Sequence, residues 1–103
     1  MIPRRLEMSQ AVRNLITHLP PELKRKVRAA FRAITADPYQ AKELKDELAG
    51  LRSYRLGNAR IIFRITGQVV EVIAFGPRPD IYERVAAEFS MLLRRKGQEA
   101  NRS

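Results

Sequence analysis

The chain has no cysteine, no tryptophan and one histidine, His18. Without cysteine there is no disulfide to staple the fold and no thiolate to hold a metal, and a single histidine lacks the companions that zinc needs. Asp46 and Glu47 are adjacent carboxylates with no third ligand at a sensible spacing, so no metal site and no cofactor is expected. The absence of cysteine fits a reducing compartment, and the expected localisation is cytoplasmic. No apolar stretch reaches the length of a membrane span, and the first residues, MIPRRLEMSQ, lack the apolar core of a secretory signal. Acidic residues are also scarce. Eleven Asp and Glu against 20 Lys and Arg leave a formal charge of +9 on 103 residues. A field of that size and sign calls for a polyanionic partner: nucleic acid first, an acidic protein second, and an anionic membrane a distant third.

What is present is patterned. Arg4 to Met8 reads as a short first strand. Ser9 offers an N-cap to a helix striped by Val12, Leu15, Ile16 and Leu19, and Pro20-Pro21 ends it. Pro21 suits the first turn of a second helix, where Leu23, Val27, Ala30, Phe31 and Ile34 form one apolar stripe up to Asp37-Pro38. These two helices make a hairpin. Its outer face carries Lys24, Arg25, Lys26, Arg28 and Arg32, most simply a solvated helix face. Residues 39–50 read as a short helix or turn ending at Gly50. From Leu51 the period changes to two, and LRSYRL, ARIIFRIT and VVEVIAFG become three strands joined at Gly57-Asn58 and Gly67-Gln68. Asp80 and Glu83 resemble a capping box for a last helix striped by Ile81, Val85, Phe89 and Leu92. The expected fold is a small α+β single domain over residues 1–96, with a helix hairpin and a C-terminal helix packed on a twisted, mainly antiparallel sheet. Residues 97–103 read as a fraying basic tail.

Tight turns set the register by arithmetic. The second turn pairs Ile65 with Val70, Arg64 with Glu71, Phe63 with Val72, Ile62 with Ile73, Ile61 with Ala74 and Arg60 with Phe75. Ile61, Phe63, Ile65, Val70, Val72 and Ala74 then share the face against the helices. Arg64 and Glu71 form an ordinary cross-strand pair on the other face. The first turn places Arg55 directly opposite Arg60, also on that outer face. Opposed like charges are destabilising, so this pair suggests an anion between them. Phe75 beside Arg60 would hold the guanidinium or stack on a base. Arg78, locked between Pro77 and Pro79, would supply a third guanidinium, and Tyr82 opens the last helix, whose N-terminus favours phosphate. The alternative leaves Arg55 and Arg60 splayed into water and Arg78 paired with Asp80.

With these residues in view, the chain resembles the RelE/ParE superfamily of toxins from toxin-antitoxin modules, and its RelE-like branch in particular. The resemblance runs through the hairpin, LKDELAGLRSYRLGNARIIFRI and VVEVIAFGPRPDIYERV, and is most specific where the strand ending in glycine is followed by Arg78 and Tyr82. It implies a RelE-like fold, cleavage of messenger RNA on the ribosome, and an acidic antitoxin partner. ParE-like members instead poison DNA gyrase. By position it marks Arg60, Arg78 and Tyr82 as catalytic, with Arg55 where the family often has lysine. A further basic residue is expected two positions on, where this chain has Gly57.

Cleavage by a neighbouring 2′-hydroxyl needs a proton removed, charge stabilised on phosphorus and a proton returned to the leaving oxygen. Arginine is a poor proton donor but matches phosphate oxygens, so Arg60 and Arg78 are expected to act on transition-state charge. Arg55, Arg64 and Phe75 are expected to hold the RNA, and Tyr82 to orient or deprotonate the hydroxyl. Lacking a strong base, the chain should cut quickly only where the ribosome presents the strand for in-line attack. A gyrase inhibitor and a non-catalytic nucleic-acid-binding domain are the competing readings.

Overall fold

The computed structural model describes residues 4–77 and 80–88. The first strand, β1 (Arg5–Met8), leads into helix α1 (Gln10–Thr17) through Ser9, whose hydroxyl accepts from the Val12 amide at 3.2 Å as the expected N-cap. Helix α2 (Pro21–Ala36) begins on its proline and ends at Asp37, before Pro38. Residues 38–50 do not form a regular helix. Single 3-10 turns at Pro38–Gln40 and Asp46–Leu48 flank a two-residue edge strand, β2 (Lys42–Glu43). Two leucines and a proline in an otherwise polar segment give too little apolar stripe to sustain a longer helix.

The antiparallel meander follows as β3 (Leu51–Leu56), β4 (Ala59–Thr66) and β5 (Val69–Pro77). Gly57 and Gly67 sit first in their two-residue turns at φ of +60° and +58°. Asn58 and Gln68 are not at positive φ, so both turns are of the kind that requires glycine in the leading place. The strands lie in the order β1-β5-β4-β3-β2, with β1 parallel to β5 and the other neighbours antiparallel.

The register agrees with the sequence arithmetic from Thr66↔Val69 to Phe63↔Val72 and then departs from it. A bulge between Ile62 and Phe63 leaves Ile73 unpaired, so Ile62 faces Ala74, Ile61 faces Phe75 and Arg60 faces Gly76. Ala74 therefore leaves the hairpin face, and Phe75 joins it in place of standing beside Arg60. The hairpin core comprises Val12, Val27, Ala30, Ile34, Ile61, Phe63, Val70, Val72 and Phe75, with Leu6, Met8 and Ile65 around it.

The other face is covered too. The last helix, α3 (residues 80–88), packs Ile81 and Val85 on Leu51 and Ile62, flanked by Leu44, Leu48, Ile73 and Ala74. Ile81 and Val85 are 0% and 1% exposed. Complete burial of each contributes roughly 1.5–3 kcal/mol, which holds these turns of the helix on the sheet. Asp80 is already helical. The expected positions of Arg78, Phe89, Leu92 and the tail lie outside the described residues. No helix among the described residues is long and apolar enough to cross a membrane.

Candidate active site

On the α3 face of the sheet, residues at every second position of β3 and β4 converge. Leu51, Ser53 and Arg55 lie opposite Arg64, Ile62 and Arg60. The first turn thus sets Arg55 against Arg60 as expected. Arg60 is only 7% exposed. One of its terminal nitrogens donates to the Ala59 carbonyl at 3.0 Å and the Gly57 carbonyl at 3.4 Å. These carbonyls anchor one edge of the guanidinium to its own turn. No carboxylate pairs with Arg60 or Arg55 among the described residues. A cation so buried, held by two backbone dipoles and without a counter-ion, is poised for an anion.

Tyr82, half-buried in the first turn of α3, shares a 2.9 Å hydrogen bond between its hydroxyl and that of Ser53, which is 5% exposed. Arg55, Arg60, Ser53 and Tyr82 all line one hollow of about 650 Å³. Its far wall is the edge segment, with Lys42 and Lys45 and with Glu43 and Asp46. Asp46 stands at φ of +57°, the only non-glycine at positive φ among the described residues.

Of the residues expected from sequence, Arg55, Arg60 and Tyr82 come together. Phe75 does not: it is 6% exposed within the hairpin core, because the bulge turns it to the opposite face from Arg60. Arg64 lies four residues along β4, about 13 Å away by strand rise. It is bound to both oxygens of Glu71 at 2.9 and 3.0 Å. Gly57 occupies a turn position that a longer side chain would strain. Sequence reasoning missed Ser53, Lys42 and Lys45. Ser53 was within reach, since it lies two residues before Arg55 on the same face of the same strand.

Gly76 explains how α3 reaches this face. A β-carbon there would stand 2.7 Å from a terminal nitrogen of Arg84 and 3.3 Å from the Ile81 Cδ1. Glycine at the end of β5 lets the helix lie close on the sheet beside Arg60, and so brings Tyr82 over Ser53.

The family to which the chain belongs is that of small toxins of two-component modules. The family model for the ParE toxin of type II toxin-antitoxin systems (parDE) matches residues 7–82, and the chain belongs to that family within the RelE/ParE superfamily. Among solved structures it is similar to the RelBE2 toxin-antitoxin complex of Mycobacterium tuberculosis, at 28% identity and a TM-score of 0.65 over 75% of this chain and 100% of that one. The RelE-RelB complex of Pyrococcus horikoshii shares the fold at 19% identity and a TM-score of 0.64, over 76% and 98%. A mutant of E. coli RelE in the free state does so at 15% identity and 0.65, over 80% and 93%. No curated protein sequence matches the chain.

Proposed function

We propose that the chain is a messenger RNA endonuclease acting on the ribosome, masked by an acidic antitoxin. The observation that carries this reading is the buried guanidinium of Arg60, without an ion-pair partner among the described residues, in the same hollow as Arg55 and Tyr82. In the reaction the 2′-oxygen bonds to phosphorus while the bond to the leaving 5′-oxygen breaks, and negative charge grows on the non-bridging oxygens. Arg60, already desolvated and pinned at one edge, meets that charge without reorganising, and such a contact commonly lowers a barrier by about 3 kcal/mol. Arg55 opposite closes the anion site from solvent's side. Tyr82, fixed by Ser53, presents its phenol oxygen at the edge of the hollow, where it orients the attacking hydroxyl or, as the phenolate, takes its proton, while the leaving 5′-oxygen takes a proton from solvent water. Arg78, by its place after β5, is assigned the second contact to the phosphate. Glu43 and Asp46 stand in the far wall of the hollow beside Lys42 and Lys45, and neither is paired with Arg60 or Tyr82 in an ion pair or hydrogen bond among those described, so the strand geometry imposed by the ribosome is assigned much of the rate.

A second reading, gyrase inhibition, is favoured by the family model, which is that of ParE. The two separate in one experiment. The chain is induced in cells beside its Arg60→Met, Arg78→Ala and Tyr82→Phe variants, and messenger ends are mapped while DNA-damage signalling is followed. Cut messenger that is lost in the variants supports the nuclease. Intact messenger with a damage response refutes it.

A further inference from the structure

Helix α2 carries two unlike faces. Leu23 and Lys26 turn toward an apolar groove of about 550 Å³ shared with Leu15, Leu19 and Phe75. On another side stand Arg25, Arg28 and Arg32, all exposed and spaced three and four apart on one stripe. None of the three has an ion-pair partner among the described residues, and the helix contains one acid, Glu22, in its first turn. Like charges at this spacing destabilise a helix by a few tenths of a kcal/mol per pair. A solvated face kept soluble by charge would mix signs; this one does not. The exposed residues flanking the arginines on this side of the helix are Ala29, Ala33 and Ala36, so the stripe offers a partner little apolar surface to desolvate. Protein partners anchor on buried aromatic or aliphatic groups, whereas a phosphodiester backbone needs only aligned cations.

We infer that the Arg25–Arg28–Arg32 stripe is a second nucleic-acid contact, gripping the backbone of folded RNA away from the hollow that takes the scissile strand. The inference rests on the ribonuclease reading for its choice of RNA over DNA. It also separates two surfaces on one helix: the leucine groove is suited to a protein segment, and the arginine stripe to RNA.

The test uses the full chain carrying Arg60→Met, which silences the hollow, with and without Arg25→Gln/Arg28→Gln/Arg32→Gln. Glutamine keeps helix propensity close to that of arginine, and circular dichroism checks the fold. Affinity for an RNA duplex of about 20 base pairs is followed as salt rises. Three lost phosphate contacts lower the logarithmic salt slope by roughly 2.7, so between about 50 and 200 mM salt the parent should lose roughly 40-fold more affinity than the triple variant. Equal slopes would overturn the inference, as would tighter binding to a DNA duplex of the same sequence. Failure of the antitoxin to neutralise the triple variant in its Arg60 form would also overturn it, by marking the stripe as a protein surface. If the slope changes but the chain cuts no messenger, the nuclease reading falls and the stripe stands. Cleavage with an unchanged slope has the reverse meaning.

Discussion

Replacing Arg60 by methionine should leave stability nearly unchanged while removing the response of the fold to phosphate. Methionine keeps the length of the apolar stem and deletes only the cation. What is lost is small: two hydrogen bonds to the Gly57 and Ala59 carbonyls, one of them long, each contributing about 0.5–1.5 kcal/mol net. What is gained has similar size. Any two unit charges of like sign about 6 Å apart repel by roughly 0.7 kcal/mol in bulk water and about 3 kcal/mol at an effective dielectric constant near 20, and with Arg55 exposed the repulsion between these opposed residues belongs toward the lower figure. The net change should lie within about 1 kcal/mol. By contrast, breaking a buried structural ion pair costs about 3–5 kcal/mol. Phosphate distinguishes the forms further. If the hollow binds it with a Kd near 10 mM, about 100 mM stabilises the native chain by about 1.4 kcal/mol. For a domain of this size that is roughly 6–11 °C in melting temperature. Thermal unfolding in phosphate and in chloride at matched ionic strength reads the difference. Equal gains for parent and Arg60→Met, or a loss of 3 kcal/mol or more on substitution, would refute an anion site at Arg60.

Ser53→Ala deletes a hydrogen-bond partner of the Tyr82 hydroxyl, and chemical denaturation should show a loss of about 1 kcal/mol. Its messenger cleavage should fall less than that of Tyr82→Phe, since the phenol stays in place. Arg64 and Glu71 form a surface pair, and a double-mutant cycle should give a coupling of about 0.2–1 kcal/mol with toxicity intact. An equal loss of toxicity on Arg64→Ala and Arg60→Met would return Arg64 to the site. Tyr39→Ala removes the ring over which Arg4 and Arg52 lie at 5.3 and 5.0 Å, and should cost about 1–2 kcal/mol by urea titration. Gly57→Ala places a β-carbon at φ of +60° and should lower stability by about 1–2 kcal/mol, although nothing crowds the new atom.

The hairpins and their first pairs were legible because each turn carries its own instruction. Glycine leading a two-residue loop fixes the turn type, and the turn fixes which residues oppose, so Arg55 against Arg60 and Arg64 against Glu71 followed from counting. Legibility ended at Ile73 for a physical reason. Parity along a strand is readable when one face is apolar and the other polar. Beyond Val72 the run is Ile73, Ala74, Phe75, and both faces are buried, one by the hairpin and the other by α3. Either parity satisfies such a run, so nothing in its composition announces a bulge.

The bulge is also what makes the site. Without it, Phe75 would project beside Arg60 and occupy the space where α3 rests. With it, the ring goes into the hairpin core and Gly76 takes its place opposite Arg60. The missing side chain at Gly76 admits Ile81 and Arg84, and the same approach sets Tyr82 on Ser53. One extra residue in β5 therefore exchanges an aromatic wall for a helix terminus, and the polar cluster around Arg60 depends on that exchange.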